Sequence, residues 1–316
     1  MGKGHPGNAH HRAMRRADAA GRHPVAFVCA AGPCCRKEPI ISRCAAAVSG
    51  IIVMPSEILV ERRDSGRIAI VTINRPHRRN ACDLAAWTDL RDTFTAFASD
   101  SVIRLVVLTG AEGQFCAGDD IIAFREAMAD PATADAYRAV IQQAYAAVQA
   151  TPVPVVAAVR GNCVGGGLSL AMCCDFRVGD SSVRAGVPVA KLGLMYPTIQ
   201  LTRLTHLVGL STARRWLYTG ELIGAAEAHA VGFLDALLSD DVDVIAGAIG
   251  YGAAMMESAP LSIAGIKLQL NAIAAGKLEA AEEAIAEATR RAESSEDYRN
   301  ATAAFAQKRK PVFAGR

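Results

Sequence analysis

Two glycine-rich segments are the parts of this sequence whose residue types and spacing most directly suggest chemistry. The first covers residues 109–121 (TGAEGQFCAGDDI), and the second covers residues 159–170 (VRGNCVGGGLSL). Each follows a short β-branched apolar run and precedes a helix-like pattern. A strand that ends in glycine and leads into a helix directs unpaired backbone N–H groups into a cleft, at the positive end of the helix dipole. Two such ends that face each other would hold one oxygen atom that gains negative charge during a reaction.

The elements that must position these loops alternate between strand and helix. Strands are predicted at residues 58–62, 67–73, 104–108, 155–159, 176–178 and 185–190, with a hairpin turn at Asp64-Ser65-Gly66. Helices are predicted at residues 84–98, 121–129, 133–150, from the second loop to 174, at 199–207, 212–218, 225–230 and 242–256, with three more up to 310. From residue 191 onward only helices are predicted. This order indicates an α/β fold with a helical C-terminal appendage.

Residues 1–53 differ from the rest of the chain. They show neither helical nor alternating periodicity, and they contain four of the seven histidines. Three interpretations stay open: a start codon assigned too far upstream, with Met54 as the working first residue; an Arg-rich organelle transit peptide; or a disordered tail. We expect a cytoplasmic protein, or a mitochondrial one if residues 1–53 are a transit peptide.

The composition excludes several classes of function. The formal net charge is +3, but residues 1–53 carry eight Lys/Arg and two Asp/Glu, so the remainder is net negative and offers no basic surface for nucleic acid. No uninterrupted apolar run reaches the ~18–20 residues of a membrane span. The cysteines at 82, 116, 163, 173 and 174 lack metal-ligand spacing. They are predicted to be buried, reduced thiols, and no metal site is expected.

Several motifs, taken in order, resemble the crotonase (enoyl-CoA hydratase/isomerase) superfamily. They are NRP at residues 74–76 with NA at 80–81, FCAGDDI at 115–121, and GGG at 165–167 with CD at 174–175. Later segments extend the resemblance to the C-terminal part of the chain. It implies a crotonase-like spiral of ββα units over residues 54–255 and a helical C-terminal region over residues 256–316, which assembles a homotrimer or a dimer of trimers. It also implies an acyl-CoA substrate, in which coenzyme A is part of the substrate and no separate cofactor is bound.

The resemblance assigns roles to individual residues. The backbone N–H groups of Asp119 and Gly166 match the oxyanion hole of the family, which binds the thioester oxygen. Residues that match substrate or coenzyme A contacts are Ala117, Gly118, Asp120, Ile121, Ile122, Gly165, Arg78, Phe305 and Lys308. Asp120 is also expected to cap the helix that follows it.

The chain departs from the hydratase pattern at both glutamates that move protons in that reaction. Ser169 and Val189 stand at these positions, so efficient hydration is not expected. Tyr196 matches a tyrosine of methylmalonyl-CoA decarboxylase, a crotonase relative, which makes a decarboxylase an alternative. Ser169 is a candidate to hold a water, and the Asp119 side chain is a candidate proton donor if its pKa is raised. A non-catalytic acyl-CoA-binding oligomer is the third hypothesis.

Overall fold

Two β-sheets form the framework of residues 57–316, the part of the chain that the computed structural model describes. The predictions made for residues 1–53 lie outside these described residues. The strands are β1 (Ile58–Arg63), β2 (Ile68–Ile73), β3 (Leu105–Gly110), β4 (Val155–Val159), β5 (Asn162–Val164), β6 (Phe176–Gly179), β7 (Arg184–Gly186), β8 (Ile223–Gly224) and β9 (Ala236–Leu237). The helices are α1 (Leu84–Phe97), α2 (Ile121–Ala127), α3 (Pro131–Ala150), α4 (Gly166–Cys173), α5 (Thr198–Thr219), α6 (Ala225–Ala230), α7 (Val244–Met256), α8 (Pro260–Ala274), α9 (Glu282–Ser294) and α10 (Glu296–Ala306).

The larger sheet has the strand order β1-β2-β3-β4-β6-β9. β1 is antiparallel to β2, and every other pair in this sheet is parallel. β3 and β4 consist almost entirely of valine, leucine and alanine and are buried. Such continuous apolar strands are typical of a parallel sheet that is covered on both faces. Alternate side chains of β3 and β4 accordingly belong to two separate apolar clusters, and α7 packs on these two strands.

The smaller sheet repeats the order of the larger one. It consists of β5-β7-β8. Two isolated bridges, Cys82 with Asp119 and Cys116 with Cys163, extend it by pairing the segments that follow β2, β3 and β4. From β2 to β7, each turn of the chain therefore adds one strand to the larger sheet and one strand or bridge to the smaller sheet before a helix follows. β4, β5 and α4 form one such turn. The mixed α/β fold class, with helices at the C-terminal end, is confirmed.

Two details of the predicted elements are wrong. The strand predicted at 185–190 ends at Gly186, and Pro188–Leu192 is a short 3-10 helix, because proline has no N–H group to donate to a sheet. The helices predicted at 199–207 and 212–218 correspond to the two parts of α5 on either side of Gly209, whose φ of 75° and ψ of 159° are not helical. The short strands β5, β8 and β9 were missed, because two or three residues are too few to show periodicity.

A buried ion pair attaches the C-terminal helices to the sheets. The Nζ atom of Lys267 on α8 lies 2.6 Å from Oδ2 of Asp175 and donates to the carbonyl oxygen of Val153 at 3.1 Å. A further bond from the Val155 N–H to the Asp175 carboxylate joins the same group to β4. Across residues 57–316, no helix combines the length and the apolar character that crossing a membrane requires.

Candidate active site

The first glycine-rich loop is anchored by a buried asparagine. Asn80 donates from Nδ2 to the carbonyl oxygens of Ala111 and Gln114, at 2.9 and 2.6 Å, and its Oδ1 accepts from the Arg75 N–H at 2.9 Å. Its φ of 58° lies in the left-handed region, which asparagine tolerates better than most residues. Asn80 therefore supplies hydrogen bonds to two carbonyl groups of a loop that is not part of a regular strand.

Backbone hydrogen bonds join the second loop to the first. Phe115 donates to the carbonyl oxygen of Arg160 at 2.7 Å, and Cys116 donates to that of Asn162 at 2.9 Å. In return, the Val164 N–H donates to the carbonyl oxygen of Cys116 at 3.0 Å. The two loops thus continue the parallel pairing of β3 with β4 beyond the C-terminal ends of these strands.

Glycine allows the closest approach of the two loops. Gly118 has a φ of 97°, and a Cβ atom there would lie 2.8 Å from the Val164 carbonyl oxygen and 2.9 Å from the Gly166 nitrogen. A Cβ atom at Gly167 would lie 2.1 Å from the carbonyl oxygen of Cys116. Neither contact is possible for a residue with a side chain unless the backbone moves.

The two residues whose N–H groups the sequence singled out lie at or next to this approach of the loops. Gly166 is the first residue of α4, so its N–H has no acceptor within the helix. Asp119 follows Gly118, whose backbone contacts that of Gly166. Within residues 57–316, neither N–H donates a hydrogen bond to another residue. The Gly166 N–H is therefore available to a ligand, whereas the Asp119 N–H interacts with the carboxylate of its own residue.

The Asp119 side chain also lies at this contact. Its Oδ1 accepts from Nε1 of Trp87 at 3.0 Å, and its Oδ2 lies 2.9 Å from the position that a Cβ atom of Gly166 would occupy. Burial raises the pKa of Asp119 to about 6, while the Trp87 N–H and the backbone N–H of Asp119 itself act in the opposite direction. Sequence reasoning missed Trp87 as a site residue, because its helical spacing on α1 indicated only a core position.

Hydroxyl groups form hydrogen bonds with the carbonyl oxygens of the second loop. The Ser169 Oγ lies 2.5 Å from the Tyr196 hydroxyl oxygen and 3.2 Å from the carbonyl oxygen of Gly165. Tyr145, which the sequence did not single out, donates from its hydroxyl to the carbonyl oxygen of Gly166 at 3.1 Å. Burial raises the pKa of both tyrosines, so they stay neutral at physiological pH. Tyr145 was missed because it lies within the helical pattern of α3.

The predicted coenzyme A contacts divide into two groups. Asp120 caps α2 by accepting from the N–H of Ile122 at 3.2 Å, and Oδ2 of Asp120 lies 3.8 Å from Nε of Arg78. Ala117, Gly118, Ile121 and Gly165 belong to the same pair of loops, and the side chains of Ile121 and Ile122 are exposed. Phe305 and Lys308 stand apart, since among residues 57–316 no hydrogen bond, ion pair or ring contact joins them to the loops.

Val189 lies in the short 3-10 helix, partly buried against the core.

The raised pKa of Asp119 has a consequence for stability. A carboxyl group with a pKa near 6 in the folded protein and near its ordinary value in the unfolded chain favours folding less as the pH rises through this interval. Above pH 7 the cost amounts to about 2 to 3 kcal/mol. Asp119→Asn should therefore raise the thermal midpoint at about pH 7.5 and leave it nearly unchanged at about pH 4.

Thermal unfolding of both proteins at the two pH values measures this difference. Asp135→Asn is the matched control, because Asp135 is an exposed acid on α3 paired with Arg138, and it should show no such dependence on pH. An equal shift of the Asp119→Asn midpoint at both pH values would contradict the interpretation.

Comparisons with known proteins identify relatives along most of the chain. A family model described as enoyl-CoA hydratase/isomerase matches residues 63–316. A 2,3-dehydroadipyl-CoA hydratase of Escherichia coli is 31% identical, over 83% of this chain and 100% of its own length. A crotonyl-CoA hydratase of Syntrophomonas wolfei is 34% identical, over 61% of this chain and 75% of its own length. The crystal structure of an enoyl-CoA hydratase/carnithine racemase from Magnetospirillum magneticum superposes with a TM-score of 0.75 at 34% identity, over 82% of this chain and 96% of its own.

Proposed function

The chain belongs to the enoyl-CoA hydratase/isomerase family, and from this membership we propose that it acts on an acyl-CoA thioester through an enolate that the N–H groups of Asp119 and Gly166 stabilise. The observation that supports the proposal is the close approach of the two loops at Gly118 and Gly166, where a Cβ atom on Gly118 would lie 2.9 Å from a Gly166 nitrogen that donates to no residue of 57–316. Negative charge on the thioester oxygen grows as the enolate forms. Each preorganised donor of this kind contributes about 3 to 4 kcal/mol to the transition state.

The residues that would move protons differ from those of a hydratase with two glutamates. Ser169 and Val189 stand at the two positions that the resemblance assigns to glutamate, and neither is a base at neutral pH. We therefore propose a reaction that needs no water activated by paired carboxylates. Isomerisation or lyase chemistry on the acyl chain meets this condition.

Decarboxylation of a methylmalonyl-CoA-type substrate is the second candidate, and the 2.5 Å contact between Ser169 and Tyr196 favours it. Loss of carbon dioxide produces the enolate directly, so only a proton donor is then required. The Tyr196 hydroxyl is buried and neutral, and it can donate a hydrogen bond to a carboxylate or a proton to the enolate. An acyl-CoA-binding oligomer without turnover remains the third candidate.

The remaining contacts are also proposals. The backbone of residues 117–122 would bind the adenine and pantetheine parts of coenzyme A, and Arg78, half exposed beside Asp120, would meet a phosphate. In residues 57–316 no hydrogen bond, ion pair or ring contact joins Phe305 or Lys308 to the loops, and we propose that they reach the coenzyme A of a neighbouring subunit. The homotrimer or dimer of trimers that the resemblance implies is also a proposal, and a sedimentation mass of one chain would contradict it. The cytoplasmic location remains a prediction.

Incubation of the purified chain with crotonyl-CoA and with methylmalonyl-CoA tests the proposal. We expect both thioesters to bind. Hydration of crotonyl-CoA should be at least about 10²-fold slower than in a relative that carries both glutamates, because general acid–base catalysis is lost. Carbon dioxide release from methylmalonyl-CoA would select the decarboxylase. Hydration of crotonyl-CoA at the rate of such a relative would contradict the interpretation of Ser169 and Val189, and failure to bind any acyl-CoA would contradict the proposed function itself.

A further inference from the structure

We propose that the Asp119 carboxyl group, oriented by Trp87, is the catalytic acid and base that moves a proton at the carbon next to the thioester carbonyl. This inference rests on the proposed function, since it places the thioester oxygen between the N–H groups of Asp119 and Gly166. It adds a proton-transferring group where the two glutamate positions hold serine and valine.

The geometry gives the two oxygens of Asp119 different tasks. Oδ1 accepts the hydrogen bond from Trp87, a fully buried ring that packs edge-on against Tyr145 at a centroid distance of 5.3 Å. Oδ2 accepts no side-chain hydrogen bond in residues 57–316 and lies beside the backbone of Gly166. A thioester whose oxygen is bound at Gly166 has its reactive carbon only two bonds from that oxygen. Oδ1 is therefore held by Trp87, and Oδ2 lies where it would face a thioester bound at Gly166.

The surroundings of Asp119 allow its carboxyl group to change protonation state near neutral pH. The titratable groups that face it are Cys82, before α1, and Tyr137 and Tyr145, both on α3; each of them is buried. Asp120 is its neighbour in the chain. No cation in the described residues forms an ion pair with Asp119, whereas Arg75 and Arg78 lie within ion-pair distance of Asp120. Burial without a cation keeps the proton affinity of Asp119 near neutrality, which suits a general base.

An unsatisfied hydroxyl lies in the same group of residues. Tyr137 is 2% exposed, and its hydroxyl has no hydrogen-bond partner in residues 57–316. Asp119 is among the charges that raise its pKa. Buried polar atoms without a partner are uncommon in folded proteins, and they mark places that a ligand or water completes. This site therefore has both an ionisable carboxyl and an open hydrogen-bonding position.

The proposed step is a balanced proton transfer. Ionised Asp119 takes the proton from the carbon next to the carbonyl, and the electron pair of that C–H bond becomes the second bond between this carbon and the carbonyl carbon. The carbonyl π electrons move to the oxygen, where the two N–H groups bind the negative charge. The reverse step returns a proton to carbon and regenerates the carboxylate.

Exchange of deuterium from D₂O into butyryl-CoA, followed by mass spectrometry, measures this step. The native chain should exchange with a rate that rises with pH around a midpoint of about 6. Asp119→Asn keeps an oxygen that can accept from Trp87 but cannot take a proton, so exchange should fall at least about a hundredfold. The exposed control Asp135→Asn should exchange at the native rate. Trp87→Phe removes a hydrogen bond that favours the charged carboxylate, so the midpoint should move to higher pH.

The outcomes separate this inference from the proposed function. Butyryl-CoA binding by each variant is measured first, by titration calorimetry. A native chain that does not bind butyryl-CoA would overturn the proposed function. A native chain that binds without exchanging, or an Asp119→Asn variant that exchanges at the native rate, would overturn only the role of Asp119. If Asp119→Asn fails to bind, the Trp87→Phe profile decides, and a midpoint equal to that of the native chain overturns the inference.

Discussion

Replacing Gly166 by alanine is expected to lower the turnover of an acyl-CoA thioester by about 10²- to 10³-fold. Gly166 has no positive φ and begins α4, so the helix itself tolerates alanine. The new methyl group, however, would lie 2.9 Å from Oδ2 of Asp119 and 3.3 Å from the Cα atom of Gly118. It would push the two loops apart and displace the carboxylate. Because the donors act on charge that develops in the transition state, kcat should fall more than KM changes. Steady-state kinetics on the preferred thioester measure both quantities.

Gly250→Ala is the matched control for this substitution. Gly250 lies within α7, and a Cβ atom there has no neighbour within 4 Å. Alanine should stabilise the helix by about 0.5 to 1 kcal/mol and leave turnover unchanged. Native turnover in Gly166→Ala would contradict the assignment of the oxyanion hole to residues 119 and 166.

Removing the charge of Arg75 is expected to reduce the free energy of unfolding by about 3 to 5 kcal/mol. Arg75 is 6% exposed; its Nη2 lies 2.8 Å from Oδ2 of Asp83, and its Nε lies 2.9 Å from Oε1 of Glu57. Its Nη1 lies 3.4 Å from Oδ2 of Asp120. Arg75→Met keeps most of the side-chain volume but leaves these carboxylates without their shared cation. Urea unfolding of both proteins measures the difference.

An exposed arginine provides the comparison. Arg138 pairs with Asp135 on the surface of α3 at 2.9 Å, and Arg138→Met should change the free energy of unfolding by less than about 1 kcal/mol. Asp83 and Asp120 cap α1 and α2 through their side chains, so the Arg75 variant should also show weakened acyl-CoA binding. A loss below about 1 kcal/mol for Arg75→Met would show that the carboxylates are satisfied without it.

The sequence predicted the parts of the fold that repeat a local pattern. The apolar runs before the glycine loops are strands β3 and β4, and the strand predicted at 155–159 has the bounds of β4 in the structure. The Asp83 and Asp120 caps follow from short-range hydrogen bonding, which a sequence records directly. The approach of the two loops could be anticipated because glycine at 118 and 166 lets two backbones come closer than residues with side chains allow.

The partners of Asp119 could not be predicted in the same way. Trp87 and Tyr145 have the spacing of core residues on α1 and α3, and they are indeed buried. Their polar atoms find partners more than twenty residues away in the chain, at Asp119 and at the carbonyl of Gly166. Periodicity reports which face of a helix is apolar, but not where the polar tip of an aromatic side chain ends. For the same reason, the pairing of Ser169 with Tyr196 required the fold.

The successive turns of β-structure leave room for variation between the two loops. The donors at 119 and 166 follow adjacent strands, yet α2 and α3 lie between them in the chain. Strand pairing holds the two loops together, and α3 adds Tyr145, whose hydroxyl donates to the carbonyl oxygen of Gly166, so the rest of this intervening segment can vary as long as that contact is kept. Under the proposed function, substrate preference can therefore change through this segment while the proposed oxyanion hole at residues 119 and 166 is kept.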